Sequence, residues 1–190
     1  MAEIMKIIEN YSRLPNGKKI EAILDDYAIF DRIIAGIESD LIIDICDERA
    51  YFRRKQLGDT GVRVQTSAVS NIPFSIVAER NEVEKAVKAG DYFTALKGIK
   101  ENDVYIERMN TLYQLQDDYK IVTARIGFLQ PEEYQIYTNY LYRKKSVVEL
   151  ADEIGLSYEA YTTRIYRYRV NVKKSSLKAM DKRSCYLMAA

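Results

Sequence analysis

From Lys18 to about Gln56 the apolar residues fall at Ile20, Ile23, Tyr27, Phe30, Ile34, Ile37 and Leu41, alternating gaps of three and four. That heptad seam predicts a long helix whose apolar stripe needs a partner to cover it. Gly36 is its weak point, because glycine costs about 1 kcal/mol against alanine in a helix interior. A second seam, Leu112, Leu115, Tyr119, Val122, Ile126 and Leu129, predicts the last long helix of the body. The two seams either pack on each other as an antiparallel pair or pair between subunits of a homodimer. Before the first seam, residues 2–10 suit a short helix or strand, and Pro15-Asn16-Gly17 reads as a turn. Between the seams lies a main loop, Gly58–Asn71, with a VRV alternation that suits a short strand. A helix over 72–89 follows, with Val77, Val83 and Val87 inward, punctuated by Gly90 and Asp91. Another begins near Tyr92 and breaks at Gly98 or Asn102.

The pattern changes after Pro131. Proline suits a first helical position, and Glu132 and Glu133 suit the positive end of the helix dipole. Tyr134, Tyr137, Leu141 and Tyr142 recur at helical spacing. Ser146 with Glu149 three residues on forms a capping-box signature for a short helix that stops at Gly155. Ser157 caps the next helix, which carries Tyr161, Ile165, Tyr168 and Val172 on one face. A small residue at Ala151 lets two helices cross closely, and Gly155 supplies the positive φ of the turn. These requirements define a helix-turn-helix, whose last helix enters the DNA major groove.

The run LADEIGLSYEAYTTRIYRYR resembles the fourth region of bacterial sigma factors, the extracytoplasmic-function type in particular. Ala151, Gly155, Ser157, Tyr161, Arg164, Ile165 and Arg167 occupy that family's small-residue, glycine, serine, apolar and arginine places, with Tyr161 bulkier than the usual valine. The resemblance puts Tyr158, Glu159, Thr162 and Thr163 over base edges. Glu159 would accept from cytosine N4, and the threonines would bond a base or touch a thymine methyl. Phosphate contacts fall to long or always-charged donors and the cap: Arg143, Lys144, Lys145, Ser157, Arg164, Arg167, Lys173 and Lys174. Over most of its length, with Gly58–Asn71 between helical stretches, the chain is similar to phage and mobile-element regulators of the RinA/ArpU type. That likeness implies activation of late or element-encoded genes together with RNA polymerase.

Charge sharpens this picture. The net charge of +1 over 190 residues is the balance of +6 from Arg143 to Ala190 and −5 over the first 142 residues. A basic end on an acidic body suits a nucleic-acid reader carried on a protein-binding domain. The expected organisation is all-α, with a helical body (1–126) for dimerisation or polymerase contact. A helix-turn-helix (127–175) and a basic tail (176–190) follow.

Other chemistry fares poorly. There is no histidine, which removes the commonest general base and metal ligand together. Cys46 and Cys185 are far apart in the chain and form no framework, so a reducing cytoplasm, bacterial or of a phage-infected host, is expected. Gly58-Asp59-Thr60-Gly61 lacks the ending of a phosphate loop. The acidic pairs Asp25-Asp26, Asp47-Glu48 and Asp117-Asp118 read as solvated faces, because a helix points neighbours about 100° apart. IIAGIESDLIIDIC is interrupted by acids and cannot span a bilayer, so no membrane partner is expected. The expectation is therefore a cofactor-free DNA-binding regulator with no enzymatic activity. Its rivals are a protein-binding inhibitor or adaptor on the same helices and a minimal sigma factor. The latter is disfavoured because residues 1–126 have no tryptophan and only RAYFRRK as an aromatic-basic run.

Overall fold

The computed structural model describes residues 10–56, 74–100, 102–143 and 145–188, without the side chains of 56, 74, 75 and 184–188. The expectations for residues 2–9, for the loop Gly58–Asn71 and for Lys144 lie outside the described residues. Among those described, regular structure is helical throughout, with no strand. A 3-10 turn, Tyr11–Arg13, precedes α1 (Asn16–Asp25) and α2 (Tyr27–Gln56). Then come α3 (Phe74–Ala89), the one-turn α4 (Tyr92–Ala95) and α5 (Asp103–Gly127). The C-terminal helices are α6 (Pro131–Leu141), α7 (Val147–Glu153) and α8 (Tyr158–Met188). No helix of the described residues is long and apolar enough to cross a membrane.

The chain divides into two compact units, Ala35–Tyr113 and the pair of segments Met1–Ile34 and Gln114–Ala190. The last three helices share a unit with α1, and residues 176–188 continue α8 instead of forming a separate tail. Where a helix lacks a break signal, a basic composition does not end it.

In the unit made of both chain ends, the first seam is buried as its spacing predicts: Ile20, Ile23, Tyr27, Phe30 and Ile34 are all under one tenth exposed. Leu115, Val122 and Ile126 of the second seam are likewise buried. The seams meet within one chain. The Tyr119 ring lies 5.6 Å from Tyr27 and 5.6 Å from Phe30, and Tyr27 Oη bonds Thr123 Oγ1 at 3.2 Å. Each such side chain contributes about 1.5–3 kcal/mol of apolar burial.

Three local expectations need correction. Pro15-Asn16-Gly17 does not turn the chain; Pro15 caps α1, its carbonyl accepting the Lys18 N–H at 2.8 Å, and Asn16 is already helical. The helix runs through Gly36 but breaks at Asp26, where φ is −116°. There Ile29 N–H bonds the Asp26 carbonyl at 2.9 Å. In an unbroken ladder that N–H would bond Asp25, so the Asp25 carbonyl is left for another donor. The run from Tyr92 breaks before Asp103, where the last long helix begins, in line with the break expected at Gly98 or Asn102, and Gly98 takes a φ of +86°. Asp118, read as solvated, is fully buried: its carboxylate accepts from Tyr11 Oη at 3.1 Å and from the Arg183 guanidinium of α8.

The other unit has its own core of Leu41, Ile42, Ile45, Val83, Val87, Leu96, Ile99, Met109 and Leu112. Val83 and Val87 face inward as expected, whereas Val77 is 46% exposed. Gly90, at φ +72°, ends α3, and Asp91 caps α4 by accepting the Thr94 N–H at 3.0 Å.

Candidate nucleic-acid interface

Helices α6, α7 and α8 are positioned by local chemistry that the residues announce. Pro131 opens α6, and Glu133 accepts the Gln130 N–H at 3.3 Å. Ser146 and Glu149 exchange both bonds of a capping box, at 3.2 and 2.7 Å. The Ser146 N–H holds the Glu149 carboxyl below its ordinary pKa. α7 then ends in a Schellman arrangement: Leu156 N–H bonds the Ala151 carbonyl at 3.0 Å, and Gly155 N–H bonds Asp152 at 3.1 Å. Gly155 has φ +66°, and a Cβ there would meet nothing within 4 Å. Backbone conformation, and not crowding, requires the glycine. Ser157 Oγ accepts the Ala160 N–H at 3.2 Å and so starts α8.

The inward face of this trio is Ile136, Tyr137, Leu141, Leu150, Ala151, Tyr161, Ile165, Tyr168 and Val172, all buried. Tyr134 and Tyr142, which recur at helical spacing with Tyr137 and Leu141, are each 46% exposed. Periodicity marks a stripe, but only packing decides how wide it is. Tyr137 and Tyr168 pack edge to face at 6.1 Å, and burial pushes both phenols above their ordinary pKa.

The four residues expected over base edges differ in availability. Tyr158, Glu159 and Thr163 are exposed. Thr162 is half-buried, and its hydroxyl donates back to the helix, 3.0 Å from the carbonyls of both Tyr158 and Glu159. Its proton is thereby committed, leaving only lone pairs and a methyl for a base.

The expected phosphate donors divide more sharply. Arg143, at φ +48°, ends α6 and donates to the freed Asp25 carbonyl at 2.5 Å. Arg169 reaches the Asp25 carboxylate at 2.6 Å, and Lys173 pairs with Glu21. These three side chains fasten the C-terminal helices to α1. Lys145 pairs with Glu153 across α7. By contrast Arg164, Arg167 and Lys174 make no ion pair among the described residues. They lie on one flank of α8 together with Asn171 and Lys178, which sequence reasoning passed over. The run 164, 167, 171, 174, 178 has the same alternation of three and four that marks an apolar seam, and that spacing would have found them.

Among the described residues no group of three or more acidic or cysteine side chains is placed to hold a metal. No family model matches the chain, and no curated protein or solved structure matches it either.

Proposed function

We propose that α6, α7 and α8 act as a sigma-like helix-turn-helix. The protein is then a sequence-specific double-stranded DNA-binding transcription regulator, a phage-type activator that works with RNA polymerase. One observation carries the reading. The Schellman turn at Gly155 leads into a capped α8 whose first two turns expose Tyr158, Glu159 and Thr163. Beside them lies an unneutralised flank of Arg164, Arg167 and Lys174. Exposed short polar groups beside unpaired guanidinium and ammonium groups match what a major groove offers: base edges at its floor and phosphates at its walls. Arg143, Lys145 and Lys173, engaged within the chain, take a supporting part in this reading.

The test is selection of bound fragments from a random duplex pool, followed by anisotropy on the selected site. Glu159→Ala and Thr163→Ala should each lose discrimination worth about 1–3 kcal/mol while retaining salt-dependent binding to any duplex. Thr162→Ala should do less, because its hydroxyl already bonds its own helix. Unchanged sequence preference in all three variants would remove α8 from the role of reader.

A second reading has its own support. Val148, Ile154, Tyr166 and Val170 are 41–68% exposed around the turn and on the outer side of α8. A protein-binding adaptor would use that apolar surface. It would then show no duplex binding at moderate salt.

A further inference from the structure

A small cavity of about 130 Å³ lies within the unit Ala35–Tyr113. It is lined by Arg49, Phe52 and Arg53 of α2, Glu79 of α3, and Lys97 and Gly98 in the turn after α4. The state of Arg49 is unusual. Its side chain is 5% exposed, yet only its bond to the Thr94 carbonyl is short. Its Nη1 lies 3.9 Å from Glu79 and 3.8 Å from Glu82, beyond hydrogen-bond reach. Its Nε is buried with no partner. A guanidinium has five donors in a fixed fork, and a buried one is ordinarily paired and fully bonded. Here the carboxylate that could satisfy it is already held by Arg53.

Lys97 completes the lining. It is exposed and makes no ion pair among the described residues. The walls thus carry three cationic side chains and the Glu79 carboxylate, with Glu82 3.8 Å from Arg49 Nη1 and a buried fork left incomplete. We propose that this cavity binds a phosphate-sized oxyanion, with Arg49 donating through Nη1 and Arg53 and Lys97 closing over it. A planar fork matches two oxygens of a tetrahedral anion, and bonds between ionised partners are about twice as strong as neutral ones. A second cavity of about 430 Å³ shares Arg53 and Glu79 and is bordered by Ile43, Ala50 and Ile76. It offers room for an organic body attached to the same anionic head.

The inference does not depend on α8 reading DNA, and its test contains none. The full chain is titrated calorimetrically with inorganic phosphate and, separately, with phenyl phosphate, in chloride buffer at constant ionic strength. Saturable binding of either is expected. Tighter binding of the ester assigns the site to the phosphate of an organic molecule, and equal binding to the free ion. Lys97→Glu should weaken binding at least tenfold with an unchanged ligand-free Tm, because that side chain is exposed and unpaired. Arg49→Lys should weaken it too, by removing the fork while keeping the charge. Arg164→Ala/Arg167→Ala should bind as the parent does. No saturable heat with either probe would overturn the site, as would binding indifferent to Lys97→Glu or lost only in the α8 variant.

Discussion

Two flanks of α8 carry the same residue types and put them to opposite uses. Toward the body, Arg169 meets Asp25, Lys173 meets Glu21, and Arg183 meets the buried Asp118. On the other flank Arg164, Arg167, Lys174 and Lys178 meet no carboxylate among the described residues. The first set is joinery, holding a 31-residue helix to α1 and α5 of its own unit. The second set is left charged at the surface, where it is available to a partner's phosphates. A count of basic residues therefore overstates the charge left for any partner; what counts is the set that no internal acid has claimed.

The largest effect should come from the joinery. Arg183→Ala leaves the fully buried Asp118 with only Tyr11 and the nearby Lys19 to answer it. Removing one partner of a buried pair costs about 3 kcal/mol or more. For a chain of this size that lowers Tm by roughly 6–12 °C in a calorimetric scan. Asp118→Asn, which still accepts from Tyr11 and Arg183, should cost less. An unchanged Tm in Arg183→Ala would place that end of α8 on the idle side of the comparison.

The free flank should respond in the other observable. Arg164→Ala/Arg167→Ala/Lys174→Ala should leave stability within about 0.5 kcal/mol. If all three cations touch phosphates, the slope of log affinity for duplex against log salt should fall by about 2.7. Arg169→Ala/Lys173→Ala should do the reverse, lowering stability while keeping the slope. Should both sets change the slope equally, the distinction between flanks has no meaning for binding.

What was legible in the residues follows the distance over which each decision is made. The cap at Ser146, the stop at Gly155 and the start at Ser157 are settled within about five residues, and the pattern announces them. The seam from Ile20 to Leu41 needs only a period, since any partner will bury it. Asp118 reads as one of a pair of surface acids because its partners, Tyr11 and Arg183, stand 107 and 65 residues away. Arg169 looks as free as Arg167 until Asp25, 144 residues distant, is brought against it. The break at Asp26 has no local signal either; the carbonyl it frees is answered only by Arg143, 118 residues on from Asp25. For the same reason the division of work among the basic residues was not legible in the sequence.

The smallest prediction separates the two ends of the joinery by the sign of their response to acid. Lys173 first, and then Lys18, hold the Glu21 carboxyl at about 2, below its ordinary 4.5. The stabilisation from that pair is fully present above the ordinary value and is lost as pH falls toward 2. Glu21 remains about a third exposed, so the loss should stay below about 1 kcal/mol. At Asp118 burial is the larger influence and pushes the carboxyl above its ordinary value despite Arg183. Between those two values the folded chain holds a proton that the unfolded chain has released, so this site favours folding as pH falls through that window. Unfolding followed from pH 6 to pH 3 should therefore show a shallower acid limb in Glu21→Gln and a steeper one in Asp118→Asn. Slopes that move in the same direction would mean the two ends do not differ in burial as their exposures imply, and the contrast would then rest on the unpaired flank alone.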